Sequence, residues 1–229
     1  MKKNWWKALA VVLILYSIIA GFLGEVPRRD ILNESIRNLY FHVSMWFAMI
    51  AMMSTSLVYS IKYLSGNKLN VDARGRLFAE IGLVFSLLGL ITGTVWAKFT
   101  WGAFWTNDAK LNGTAITILI YLAYFILRGS MDDADKRARI AAVYNIFAFV
   151  LMIVFIGILP RLTDSLHPGN GGNPAFSQYD LDDKMRMVFY PAVIGWILFG
   201  VWVANIRYRM YDINERLIKW RNESLNELH

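Results

Sequence analysis

Chemistry in this chain has few places to start. It holds three histidines and no cysteine. Disulfides, thiolate-bound zinc, thiol redox chemistry and a CxxCH attachment motif are therefore excluded. His229 ends the sequence and reads as a tail. His42 opens a long apolar block, and His167 sits in Leu166-His167-Pro168-Gly169. Alone, each would read as an ordinary interfacial or loop histidine. As a pair, two neutral imidazoles can fill two positions on one metal. Between them lie Trp96, Trp101, Phe104 and Trp105, followed by Asp108. The spacing of Trp101, Phe104, Trp105 and Asp108 predicts one helix face with three aromatics and a carboxylate. Such a shelf suits a large, planar, apolar ligand. An aromatic belt explains tryptophan at a membrane surface, though not its crowding into one segment. Asp108 also suits the N-cap of a following helix.

The elements that must position these residues are membrane helices. The composition is 56% hydrophobic and 18% charged, below the ~25% charge usual in soluble domains. The apolar residues arrive in blocks, and a hydrocarbon core of ~30 Å takes ~20 residues of helix. Six blocks qualify: about 5–23, 39–64, 77–97, 113–127, 140–159 and 187–206. The fold expected is all-α, a polytopic membrane protein with six transmembrane helices forming a single domain over 1–229. The first block follows lysines, as a signal peptide does, but no small-residue cleavage site follows it, so it reads as a retained span.

An even number of spans puts both termini on one side. Taking that side as inner, its segments carry sixteen lysines and arginines, against eight on the other. This bias predicts cytoplasmic termini. It also accounts for the net charge of +7 without nucleic acid. The outer segments are then 24–38, 98–112 and 160–186, and His42 and His167 share the outer side. Two imidazoles at one depth, approaching from opposite faces, are what a six-coordinate haem iron needs. Arg28, Arg29, Arg37 and Arg161 lie in outer segments and offer cations for propionates; flanking charge is the plainer reading of each. Met45, Met49, Met52 and Met53 follow His42 and read as packing. Gly82, Ser86, Gly89 and Gly93 form a small-residue ridge, read as helix packing within one monomer.

The segment Trp101-Gly-Ala-Phe-Trp-Thr-Asn-Asp-Ala-Lys-Leu111 resembles the tryptophan-rich WWD motif, roughly WGxxWxWDxRL. Tyr40-Phe-His-Val-Ser-Met-Trp46 resembles Y-x-H-V-P-x-x-W with its tryptophan one residue early, and Leu166-His-Pro-Gly169 resembles L-H-x-G. Order, spacing and length over essentially the whole chain resemble the CcmC family of cytochrome c maturation, the haem exporter C proteins. Phe104 and Asn107 stand where that motif commonly has tryptophan, Ser44 where it has proline, and Lys110 where it has arginine.

The resemblance implies a haem platform on the periplasmic face, built from a WWD-like segment (96–112) and a second histidine loop (160–186). It implies that haem b is held transiently and non-covalently. His42 and His167 would be the axial iron ligands, with Trp101, Phe104, Trp105 and Asp108 beside the haem. The partners implied are a periplasmic haem chaperone (CcmE-type), ATP-binding-cassette subunits (CcmA/CcmB-type) and a small membrane subunit (CcmD-type), within the bacterial inner membrane. The chain would bind and transfer haem as part of a transport complex, not act as an enzyme. It has no G-x-x-x-x-G-K-S/T loop of its own for ATP. The rivals are a cytochrome c synthetase-type WWD protein, a b-type cytochrome and a membrane transporter. The first is longer in its family. The second wants histidine pairs at two depths. The third usually puts polar residues at the bilayer midplane, where only Asn145 stands here.

Overall fold

A computed structural model describes residues 4–29, 31–169, 175–177 and 180–226. His229 and most of the turn-rich stretch 169–174 lie outside those residues. The described elements are helical: α1 (Trp5–Leu23), a 3-10 turn (Asn33–Asn38), α2 (Leu39–Gly66), α3 (Leu69–Trp101), α4 (Ala109–Gly129), α5 (Ala134–Met152), a π-helical segment (Ile153–Ile158), α6 (Leu159–Leu162) and α7 (Asp183–Asn226). Six stretches are long and apolar enough to cross a membrane: 5–23, 33–66, 69–101, 109–129, 134–162 and 183–226. All six expected spans are there. Most run past the apolar blocks, because only the mid-helix must be apolar, and charged turns extend into headgroups and water.

Those charged turns pair across helices at the end away from His42. Arg128 clamps Asp72 with two hydrogen bonds of 2.8 and 2.7 Å, joining α4 to α3. Both side chains are nearly buried, so removing one partner would strand a charge. Glu80, three turns into α3, bridges Arg76 at 2.9 Å and Arg207 of α7 at 2.6 Å. Its charge is tolerated there because two guanidiniums meet it.

The centre is α2, packed against α3, α5 and α7. Met45, Met49, Met52 and Met53 are all buried in the main core. That is the packing role expected, since lipid offers helices no hydrophobic drive and close van der Waals fit must hold them together. The glycine ridge of α3 makes that fit, within the monomer. A Cβ on Gly82 would meet Met53, one on Gly89 would lie 2.8 Å from the Trp46 ring, and one on Gly93 would lie 2.5 Å from His42 Cε1.

At the His42 end, Pro160 shapes the approach to His167. Proline lacks an N–H and crowds the carbonyl four residues earlier, so a helix cannot run through it undisturbed. The ladder widens into the π segment just before it and stops at Leu162. The chain then turns back over the bundle towards residues 163–169.

Candidate functional site: a two-histidine cavity

His42 lies on the first turn of α2 and is buried. Its Nδ1 is 3.0 Å from the Gly89 carbonyl and 3.2 Å from Thr92 Oγ1. A carbonyl can only accept, so Nδ1 carries the proton. Nε2 is then an acceptor, and the Trp46 indole N–H donates to it at 3.3 Å. Two independent partners thus assign the same tautomer. Gly93 leaves the room in which the ring sits.

His167 is held differently. Its Nδ1 donates to Asp108 Oδ1 at 2.8 Å. Asp108 is the N-cap of α4, accepting from the backbone N–H of Lys110 and Leu111 at 2.9 and 3.1 Å. Its other oxygen accepts from Ser165 Oγ at 2.8 Å and Leu166 N–H at 2.7 Å. One carboxylate therefore starts a helix and staples residues 165–167 to it. Burial works against the charge of Asp108, but the hydrogen bonds from His167 and Ser165 prevail and hold the carboxyl well below the usual carboxylate range. Trp101 meets the His167 ring edge-on, with centroids 4.8 Å apart. Lys110 Nζ donates to the Pro168 carbonyl at 2.7 Å, pinning the next residue as well.

Both histidines line one cavity. Its walls are largely apolar, with Leu39, Val43, Ile50, Leu90 and Ile156 beside the rings of Trp46, Phe47, Trp96 and Phe176. Lys110, Arg161 and Asp180 supply its charges. Among the described residues no group of three His, Cys, Asp or Glu side chains could hold a metal ion. Two imidazoles are too few for tetrahedral zinc. They suffice for a metal that brings a planar set of four donors with it.

The aromatic segment differs from the expected helix face. α3 ends at Trp101, because Gly102 takes φ +82°, the left-handed conformation in which glycine stops helices. Lys98 Nζ seals that end on the Gly102 carbonyl at 2.8 Å. Residues 102–107 are non-helical, so Trp101, Phe104, Trp105 and Asp108 do not share a helix face. Phe104 and Trp105 are 59% and 46% exposed and do not line the cavity. Neither Trp101 nor Asp108 lines it; both reach it through His167. Asn107, where the motif commonly has tryptophan, accepts from Asn112, which in turn accepts from the Trp105 indole. That polar chain ties the bend to α4.

The arginines divide. Arg37 donates to the Gly21 and Gly24 carbonyls and closes the end of α1. Arg28 and Arg29 do not line the cavity, whereas Arg161 does, its guanidinium hydrogen-bonded to the Gly157 carbonyl. Trp46 and Trp96, present in the sequence motifs but absent from the expected helix face, are the tryptophans that line the cavity. Trp46 stands one helical turn after His42, which was the available signal.

These features define a polytopic helical membrane protein that carries an apolar, two-histidine cavity at one end of its bundle. The family model described as heme exporter protein C matches residues 1–223. The heme exporter protein C of Escherichia coli K12 is 28% identical over 228 residues, covering 95% of this chain and 87% of that protein. Those of Paracoccus denitrificans and Rhodobacter capsulatus are 26% and 27% identical, covering 93% and 86% of this chain and 87% and 79% of their own. The chain belongs to the heme exporter protein C (CcmC) family.

Proposed function

We propose that this protein holds haem at the outer face of the bacterial inner membrane for cytochrome c maturation and passes it on without chemical change. The observation that carries the reading is that two histidines, each with Nδ1 already committed to a hydrogen bond, line one apolar cavity. Fixing Nδ1 leaves Nε2 as the ligating nitrogen on each. His42 and His167 are then the axial ligands of a haem b bound transiently and without a covalent link. Lys110 and Arg161, both at the cavity, suit the two propionates. Trp46 and Trp96 replace the expected shelf as the aromatic walls. Trp101 and Asp108 act through His167.

Phe104 and Trp105 face outward beside the site, which suits contact with the protein that takes the haem. By the CcmC resemblance that recipient is a CcmE-type periplasmic chaperone. Energy would come from CcmA/CcmB-type subunits with a CcmD-type membrane subunit. The sixteen-to-eight bias of basic residues supports termini in the cytoplasm. Reporter insertions after Lys68 and after Ala175 test the orientation: the first reports cytoplasm and the second periplasm, and a cytoplasmic Ala175 would end the reading. The absorption spectrum of the haem-loaded protein tests the ligands, with low-spin bands expected that change when either histidine is replaced.

A further inference from the structure

One nitrogen in this site has two claims on it. His42 Nε2 accepts the Trp46 indole N–H at 3.3 Å. The function proposed above gives that same lone pair to iron, and a lone pair cannot serve both. We propose that Trp46 is a latch on His42, which holds the ligating lone pair, yields it when haem binds and reclaims it when haem leaves. This inference rests on the haem reading and adds to it a means of release.

The geometry suits a latch rather than a lock. A neutral N–H donor at 3.3 Å is longer than the ~2.9–3.0 Å common for such bonds, so it breaks readily. Donor and acceptor stand one turn apart on α2, so the bond re-forms by side-chain rotation alone. His42 itself has no freedom to escape the competition, since Gly89 O and Thr92 hold Nδ1 and the Gly93 surface backs the ring. The second wall tryptophan has no such role, because the Trp96 indole donates to Ser35 Oγ at 3.2 Å. Nor is there a counterpart across the cavity: among the described residues no donor meets His167 Nε2. Release therefore starts at His42, with Trp46 competing for the nitrogen that iron vacates. Trp46 is a positioning residue by this account, and its N–H is the part that matters.

The test separates the N–H from the ring. Trp46→Phe removes the donor and keeps an aromatic wall. Incorporation of 3-benzothienylalanine at position 46 removes only the N–H and keeps the indole shape, which guards against misfolding of the first variant. In the haem-free protein, ¹⁵N NMR of the three histidines reads the bond directly. The His42 Nε2 resonance should move towards that of a free imine nitrogen in both variants, with Nδ1 unmoved. In the haem-loaded protein, transfer to apomyoglobin should slow about five- to tenfold, as one neutral hydrogen bond stops competing. An unmoved Nε2 resonance, or release unchanged or faster while the bands still depend on His42, overturns the latch alone. Bands indifferent to His42→Ala overturn the haem reading and the latch together.

Discussion

The two histidines reach one cavity by opposite routes. His42 is fixed by helix packing: it rides on α2, its proton goes to a neutral backbone carbonyl, and a glycine leaves space for its ring. His167 lies outside any helix, and its proton goes to a carboxylate that also caps α4. The first arrangement is sterically rigid and electronically mild. The second depends on one side chain and is electronically strong, because a carboxylate partner raises the basicity of a ligating imidazole. Pro168 and Gly169 directly after His167 are turn residues and by themselves suit a loop free to open. Asp108 instead pins residues 165–167. The rigid helix, not the loop, carries the competing donor.

Several variants would break or sharpen that contrast. The largest effect should come from Asp108→Ala, which removes the partner of His167 and the cap of α4 together. Loss of such a ligand partner costs about 10- to 100-fold in metal affinity, so haem retention during gel filtration should fall by that order. An unchanged retention would mean that Asp108 is a helix cap and nothing more.

On the other side, Gly93→Ala places a methyl where only 2.5 Å separates it from His42 Cε1. The ring must shift, at a cost of about 1–3 kcal/mol for overpacking. Haem affinity should fall about tenfold, while the His167 ¹⁵N signals stay put. Movement of both histidines' signals would show that the two supports are not independent.

A smaller effect separates charge from shape. Asn caps a helix about as well as Asp, so Asp108→Asn keeps the cap but replaces the oxygen that accepts from Ser165 and Leu166 N–H with an amide donor and removes the charge facing residues 165–167. Hydrogen bonds to a charged group contribute about 1.5–3 kcal/mol. The folded carboxyl lies below its ordinary ~3.9. Its contribution is therefore full above that ordinary value and is lost only as pH falls through the lowered one. Thermal melts of wild type and variant should still be separated at pH 5, the gap closing only in stronger acid. A gap that closes near pH 6 would contradict the assignment.

The smallest effect on binding belongs to the outward rings. Trp105→Ala should leave the haem spectrum unaltered and lower transfer to the chaperone several-fold, measured as haem recovered on that partner. A changed spectrum would return Trp105 to the cavity.

How much of this was legible beforehand varies with the physics involved. The spans were, because a bilayer demands long apolar runs whatever the tertiary fold. The glycine ridge was, because small residues at helical spacing have few other uses. The helix face over 101–108 was a misreading: its spacing was right, but Gly102 directly follows Trp101 and breaks the ladder there. Asp108 was legible as an N-cap, a local matter. Its bonds to Ser165, Leu166 and His167 span more than fifty residues, and no local pattern encodes them. Trp46 lay in plain sight one turn from His42, yet which side chain takes an imidazole lone pair is decided by rotamers, not by spacing.

The central claim is that His42 and His167 bind one iron from opposite faces. The most direct measurement is the absorption spectrum of haem-loaded His42→Ala and His167→Ala, each with and without free imidazole. Each variant should lose the low-spin bands of wild type and regain them when imidazole fills the open position. The only other histidine in the chain is His229 at its terminus. Unchanged low-spin bands in either single variant, without added imidazole, would contradict the account.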